Sequence, residues 1–390
     1  MPPTGLDNLR HLVVLMMENR TFDHMLGGLK AAHPGLDIWP NGYTNPDFNG
    51  NEIPPQPKAA YQGQLDPDPN HDFAPVNEQI FGGGPTPDMR GFISSFFKQR
   101  KNVKSSHRIM YYFKPEQLPV LSNLALEYVT FNRWFASIPG PTLCNRAFAH
   151  YGTSFGHVGM EMKYFGNPIK SIYERLHAGG RTTKLYYFDR ASSTLELVNL
   201  LQNQPQVFAT YEQFLADCHA GTLPDYSFVE PNYSDHDGLI ASDQHPDHHV
   251  AEGERFIASI YMAIKSNPAL WPNTALLVTY DEHGGIFDHV PPPAPTGVDG
   301  FEAPKEKTGT GQPFKFDRLG VRVPAILISP WVKKGLVVND VYEHASIPGT
   351  ATEWLLPGFG GPRTDREAKA RTFLNLLSEP VMRTDGPNFV

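Results

Sequence analysis

Short continuous apolar runs alternate with longer periodic ones along this sequence. HLVVLMM at 11–17, KLYYF at 184–188, DYSFVE at 225–230, TALLVTY at 274–280 and VPAILISPWV at 323–332 are of strand length and rich in β-branched or aromatic residues. That is the composition of strands buried on both faces of a parallel sheet. Between them lie segments of helical pattern: SIYERLHAGG at 171–180, TLELVNLLQN at 194–203, YEQFLADCHAG at 211–221 and AEGERFIASIYMAIKSNP at 251–268. The last is the most regular and is closed by Asn267-Pro268. Strand and helix in alternation predict an α/β fold with a mostly parallel sheet.

The remaining pattern fills in around that frame. FDHMLGG at 22–28 predicts a short helix stopped by its glycines, 116–127 a further helix, YVTFNRWFA at 128–136 a strand, and 366–377 a closing helix. Residues 34–87 hold many Pro, Gly, Asn and Asp and little periodicity, which predicts an irregular excursion serving as a lid or pocket wall. SIPGPTLCNR at 137–146 reads as a Pro- and Gly-punctuated loop entering a helix of small residues. The aromatic-rich FISSFFKQR at 92–100 and IMYYF at 109–113 are expected in a core or pocket wall, with a lipid-facing surface as the lesser alternative. No internal repeat or linker divides the 390 residues, so one domain spanning 1–390 is expected.

Composition supports a packed core, since 40% of residues are hydrophobic and 19% charged. The net charge of −8, with no basic run, speaks against a nucleic-acid partner. Two cysteines, Cys144 and Cys218, exclude a disulfide framework. The sequence shows no secretory signal and no run near the roughly 20 apolar residues of a membrane span. As written it predicts a cytoplasmic protein, or a secreted or periplasmic one if it is a processed form.

Chemistry enters at the strand ends. Glu18-Asn19 follows the first apolar run, and Asp281-Glu282-His283 follows TALLVTY. Open α/β sheets bind ligands outside the carboxyl ends of their strands, and oxygen ligands on neighbouring strands hold hard divalent cations. The alternative is that these acids cap a helix or solvate a loop. A metal there would suit a hydroxyl nucleophile on a tight turn, and Gly140-Pro141-Thr142 offers Thr142, although a threonine in such a loop is most often a turn or cap residue. The stretch 235–249, DHDGLIASDQHPDHH, gathers histidine and aspartate that fit a metal site, a solvated loop or a helix cap. Cys144 reads as a packing residue, and KTGTGQPF at 307–314 lacks the lysine and spacing of a phosphate loop.

Three motifs in order, MENRTFDHMLG, GPTLCNR and TALLVTYDEHGGIFDHVPPP, resemble the bacterial phosphoesterase family of phospholipases C and acid phosphatases, which includes the plant non-specific phospholipases C. The resemblance implies an alkaline-phosphatase-like α/β core with helices on both faces of the sheet, long loop insertions and a divalent metal at the sheet edge. Carried over by position, it implies metal ligation by Glu18, Asn19, Thr142, Asp281 and Glu282, with Thr142 as nucleophile. It implies catalytic roles for His71 in NHDF and His245 in DQHP; Asn19, Asn145 and His289 are further candidates for substrate contact, with packing fixed by the proline run as the alternative for His289. The ligand types admit calcium, magnesium, manganese, zinc or iron. The implied activity is phospholipase C cleavage through a phosphothreonine intermediate, with a phosphomonoesterase as the nearer alternative and a non-catalytic metal- or lipid-binding protein as the remote one. The implied partner is a phospholipid or small phosphoester, with transient contact to a membrane surface.

Overall fold

The computed structural model describes residues 5–161, 169–197 and 204–389. Its centre is an eight-stranded sheet of β1 (His11–Met17), β2 (Val129–Phe131), β3 (Thr183–Tyr187), β4 (Phe208–Thr210), β5 (Tyr226–Glu230), β6 (Thr274–Tyr280), β7 (Ala325–Ile328) and β8 (Val337–Val338). Their spatial order is β8-β2-β7-β6-β1-β5-β3-β4, and every pairing is parallel except those of β7 with β6 and β2. The α/β class with a mostly parallel sheet is therefore what forms.

All seven side chains of β6 are buried. Successive side chains of a strand point to opposite faces, so both faces of the sheet are covered. Each large aliphatic side chain so buried contributes about 1.5–3 kcal/mol. The helices α1 (Pro119–Glu127), α2 (Thr142–Tyr151), α3 (Ile172–Ala178), α4 (Tyr211–Ala220), α5 (Val250–Lys265) and α6 (Ser346–Leu355) supply the cover in two sets. In one, α5 packs on α1 and α4; in the other, α6 packs on α2 and α3.

The structure departs from the sequence pattern in several places. β7 runs antiparallel because the chain from 281 to 324 stays at the sheet edge where β6 ends and re-enters from there. The expected strand at 128–136 breaks after Phe131, and Trp134–Phe135 instead pairs with Tyr342–Glu343 in a separate ladder. The closing helix spans only Asp365–Lys369, since Ala370 turns to ψ 138°. Of the helix expected at 194–203, the described part is a 3-10 turn, Ser193–Glu196, and residues 198–203 lie outside the described residues. α6 was hidden by Pro348 and Gly349, which sit near its start, where the first N–H groups have no helical partner to lose.

The 34–87 excursion is more ordered than its composition suggests. It contains the helix Phe73–Phe81, packed on the helix Phe92–Arg100. Ile80, Phe92, Phe96, Ile109, Ile286 and Phe287 form a second apolar core beneath both, so FISSFFKQR and IMYYF do lie largely in a core. This core is seated on the residues just after Asp281-Glu282-His283, which brings the excursion to the end of β6.

Candidate active site

The register of β1 on β6 pairs Met17 with Tyr280, so Glu18 and Asp281 leave the sheet side by side. The Asp281 N–H donates to Met17 O at 3.1 Å and extends the ladder one step. Asn19 then turns into the left-handed region at φ 53°. Its N–H donates to Asp281 Oδ1 at 3.1 Å, and the Glu282 N–H donates to the same oxygen at 2.7 Å. Gly284 makes this approach possible: at φ 63°, a Cβ added there would lie 2.3 Å from Asn19 O.

Thr142 is the first residue of α2, with its hydroxyl donating to Asn19 Oδ1 at 3.4 Å. The unpaired N–H groups and partial positive charge of a helix start favour an anion beside that hydroxyl. Asn145 braces the turn from below, accepting from Ile138 N at 3.0 Å and donating to Gly140 O at 2.7 Å. Arg146 reaches across to the strand ends, with Nη2 donating to Glu18 Oε1 at 3.0 Å and Nε 3.4 Å from Asp281 Oδ2.

A second group closes the site from outside. His71 Nε2 lies 3.9 Å from Glu282 Oε1, and its Nδ1 is 2.9 Å from Pro69 O. Asp68 Oδ2 stands between His71 Nδ1 at 3.7 Å and His245 Nε2 at 3.6 Å. Asp243, whose carbonyl accepts from Glu18 N, holds His245 N at 3.2 Å and His248 Nδ1 at 2.8 Å on one carboxylate oxygen. Gly285 admits this wall, since a Cβ there would meet Pro69 at 2.9 Å and Asn70 O at 3.0 Å.

Burial sets the electrostatics. It pushes the Glu18 carboxyl well above the usual carboxylate range, with Asp281 adding to the rise and Arg146 opposing it. It lifts Asp281 to about 6 against the pull of Arg146. Glu282 is also raised by burial, but His71 and His283 outweigh that and hold it below its ordinary value. Burial alone would lower His71; Glu282 and Asp68 reverse this and raise it to about 9. Burial lowers His245 and lifts Asp68 to about 7.

The donor set fits a divalent cation. Glu18, Asn19, Asp281 and Glu282 present hard oxygens from adjoining strand ends, and Asp281 Oδ2 and Glu282 Oε1 are buried with no hydrogen-bond partner among the described residues. Arg146 and His71 approach them at 3.4 and 3.9 Å without a hydrogen bond, which leaves both oxygens open to direct contact with a bound cation.

The sequence model of the Phosphoesterase family matches residues 9–354. The chain belongs to the phosphoesterase family. It is a phosphoric ester hydrolase. The phosphoesterase is similar to non-specific phospholipase C6 of Arabidopsis thaliana, at 39% identity over 97% of this chain and 74% of that protein. It is also similar to phospholipase C A of Mycobacterium tuberculosis, at 28% identity over 88% of this chain and 72% of that protein. Among solved structures, the lipoteichoic acid synthase LtaP from Listeria monocytogenes aligns over 94% of this chain and 77% of its own, with 10% identity and a TM-score of 0.43, a likeness from which nothing about activity follows.

The fold of the phosphoesterase thus brings together Glu18, Asn19, Thr142, Asp281, Glu282, His71 and His245. Two residues expected on substrate have protein partners among the described residues. Asn145 was expected on substrate, but its amide is engaged by Ile138, Gly140 and Pro141, so it braces the turn that carries Thr142. His289 was expected there too, yet its Nδ1 lies 2.7 Å from Asp23 Oδ2 and its Nε2 3.5 Å from Asp37 Oδ1. Asp23, Asp288 and His289 are close enough to hold a metal, but Arg322 already binds both acids, at 2.9 and 3.1 Å.

Sequence reading passed over Arg146, Asp68 and Asp243. Arg146 had a signal, because residues four apart share a helix face and it follows Thr142 by four. Asp68 had a weaker one in its position three before His71. Asp243 lay inside the His- and Asp-rich stretch with nothing to single it out.

Proposed function

We propose that the phosphoesterase is a phospholipase C, cleaving the phosphodiester of a phospholipid on the glycerol side, with Thr142 as nucleophile. The observation that carries this is the placing of the Thr142 hydroxyl at a helix start, 3.4 Å from an asparagine that is itself bonded to Asp281. The similarity to proteins named phospholipase C supports the choice of a phosphodiester.

Glu18, Asn19, Asp281 and Glu282, with the Thr142 oxygen, would hold the cation. When bound, it acidifies the adjoining hydroxyl and neutralises charge on a phosphoryl oxygen. Thr142 Oγ, giving up its proton, attacks phosphorus in line as the bond to the glycerol oxygen breaks and that oxygen takes up a proton, giving diacylglycerol and a phosphothreonine that still carries the head group as a diester. The first N–H groups of α2 and the cationic side of His71 face the charge on the phosphoryl oxygens. His71 and His245 stand at the outer wall, where a proton must reach the departing oxygen. Water then cleaves the phosphothreonine and releases the phosphorylated head group.

A phosphomonoesterase is the second reading, favoured by the polar wall of Asp68, His71, His245 and His248, which offers charge where an acyl chain would need apolar surface. The deciding measurement is hydrolysis of phosphatidylcholine and of p-nitrophenyl phosphate by wild type, Thr142→Ala and chelator-treated enzyme. Diacylglycerol release that disappears in both controls is the expected result. Cleavage of the monoester alone selects the second reading, and full activity in Thr142→Ala refutes the nucleophile.

A further inference from the structure

Arg146 lies one turn along α2 from Thr142, and its side chain is completely buried. Nη2 donates to Glu18 Oε1 at 3.0 Å and to Met16 O at 3.3 Å, and Nε is 3.4 Å from Asp281 Oδ2. The guanidinium lies 5.4 Å from the centre of the Tyr233 ring. Nε and Nη1 make no hydrogen bond among the described residues. As a device for stability alone this is poor: desolvating a buried ion pair offsets much of its attraction, and unmet donors add to the cost. What the arrangement does achieve is geometric. One rigid, planar side chain joins the helix that carries the nucleophile to both strand ends that carry the cation-holding acids.

We infer that Arg146 is the positioning residue of this site, keeping the Thr142 hydroxyl in register with Glu18 and Asp281. The inference rests on the reading of those two acids as metal ligands. Tyr233 contributes through its ring, 5.4 Å from the guanidinium. Lysine in place of Arg146 keeps the charge but ends in a single nitrogen on a flexible stem, so it cannot span both carboxylates. Arg146→Lys therefore separates charge from bridging.

The test is Mn2+ binding to metal-stripped protein by calorimetry, with kcat and KM measured alongside and circular dichroism to establish the fold. In Arg146→Lys, Mn2+ affinity falls by about 10–100-fold and kcat falls with it, while KM for phosphatidylcholine changes little. Tyr233→Leu, which leaves every charge in place, shifts both in the same direction by less. A folded Arg146→Lys with wild-type Mn2+ affinity and kcat overturns the inference and leaves a buried ion pair only. If Arg146→Lys fails to fold, Tyr233→Leu decides, and unchanged Mn2+ affinity there overturns it equally. Wild-type protein that binds none of Mn2+, Ca2+, Mg2+, Zn2+ and Fe2+ overturns the metal-site reading, and the inference with it.

Discussion

Asn19 holds its left-handed backbone because Asp281 accepts its N–H and because Gly284, across the strand gap, presents no Cβ to its carbonyl. A side chain at 284 has to displace Asn19 or strain a positive φ, and both move the amide that faces Thr142. Gly284→Ala is therefore expected to cost about 1–3 kcal/mol in urea unfolding and to lower kcat well beyond what the stability loss explains. Wild-type kcat in a folded Gly284→Ala would refute the link between that glycine and the site. The residue types at this scale were legible: acids after apolar runs and a threonine in a turn. Which side chains meet was not, because Asn145 and His289 look as polar and as available as Asn19 until their partners are seen.

At the scale of elements, α1 shows how a helix end is completed from elsewhere in the chain. Its N-cap, Leu118, has no side chain to offer, and the N–H groups of Val120 and Leu121 are met by the carboxylate of Glu254 on α5, at 2.7 and 3.2 Å. Burial raises Glu254 from its ordinary 4.5 to about 7, against the pull of those two N–H groups. The folded state thus binds this proton more tightly than the unfolded chain, so the contribution of Glu254 to stability is full below about pH 4.5 and declines as pH rises through about 7. Replacing it with glutamine removes that decline. The stability of wild type relative to Glu254→Gln is expected to fall by up to about 3 kcal/mol between pH 4.5 and 7, measured by urea unfolding. A difference that does not vary with pH would show that Glu254 titrates normally. No local pattern reveals such a cap, since the donor helix and the acceptor are far apart in sequence.

For the whole molecule, the sheet edge where β1, β5 and β6 end gathers segments from five distant parts of the chain into one site. Cation binding there adds to global stability if the unfolded chain binds none, by about 2.7 kcal/mol at a hundredfold excess over Kd. Thermal unfolding with Mn2+ or Ca2+ is thus expected to show a Tm above that of chelated protein, and an unchanged Tm with both would argue against a cation at these oxygens. By itself the sequence determined the class of fold, the buried strands and the strand-end acids, because the period of apolar residues and the polar residues that interrupt it are local properties. It also determined the family, through three motifs long enough to be specific. Only the tertiary structure decided the reversed strand β7, the ordered core under His71, the burial of Arg146 between two acids and the diversion of His289 to Asp23. Each of these depends on side chains from remote segments competing for the same space and charge, and that competition has no period along the chain.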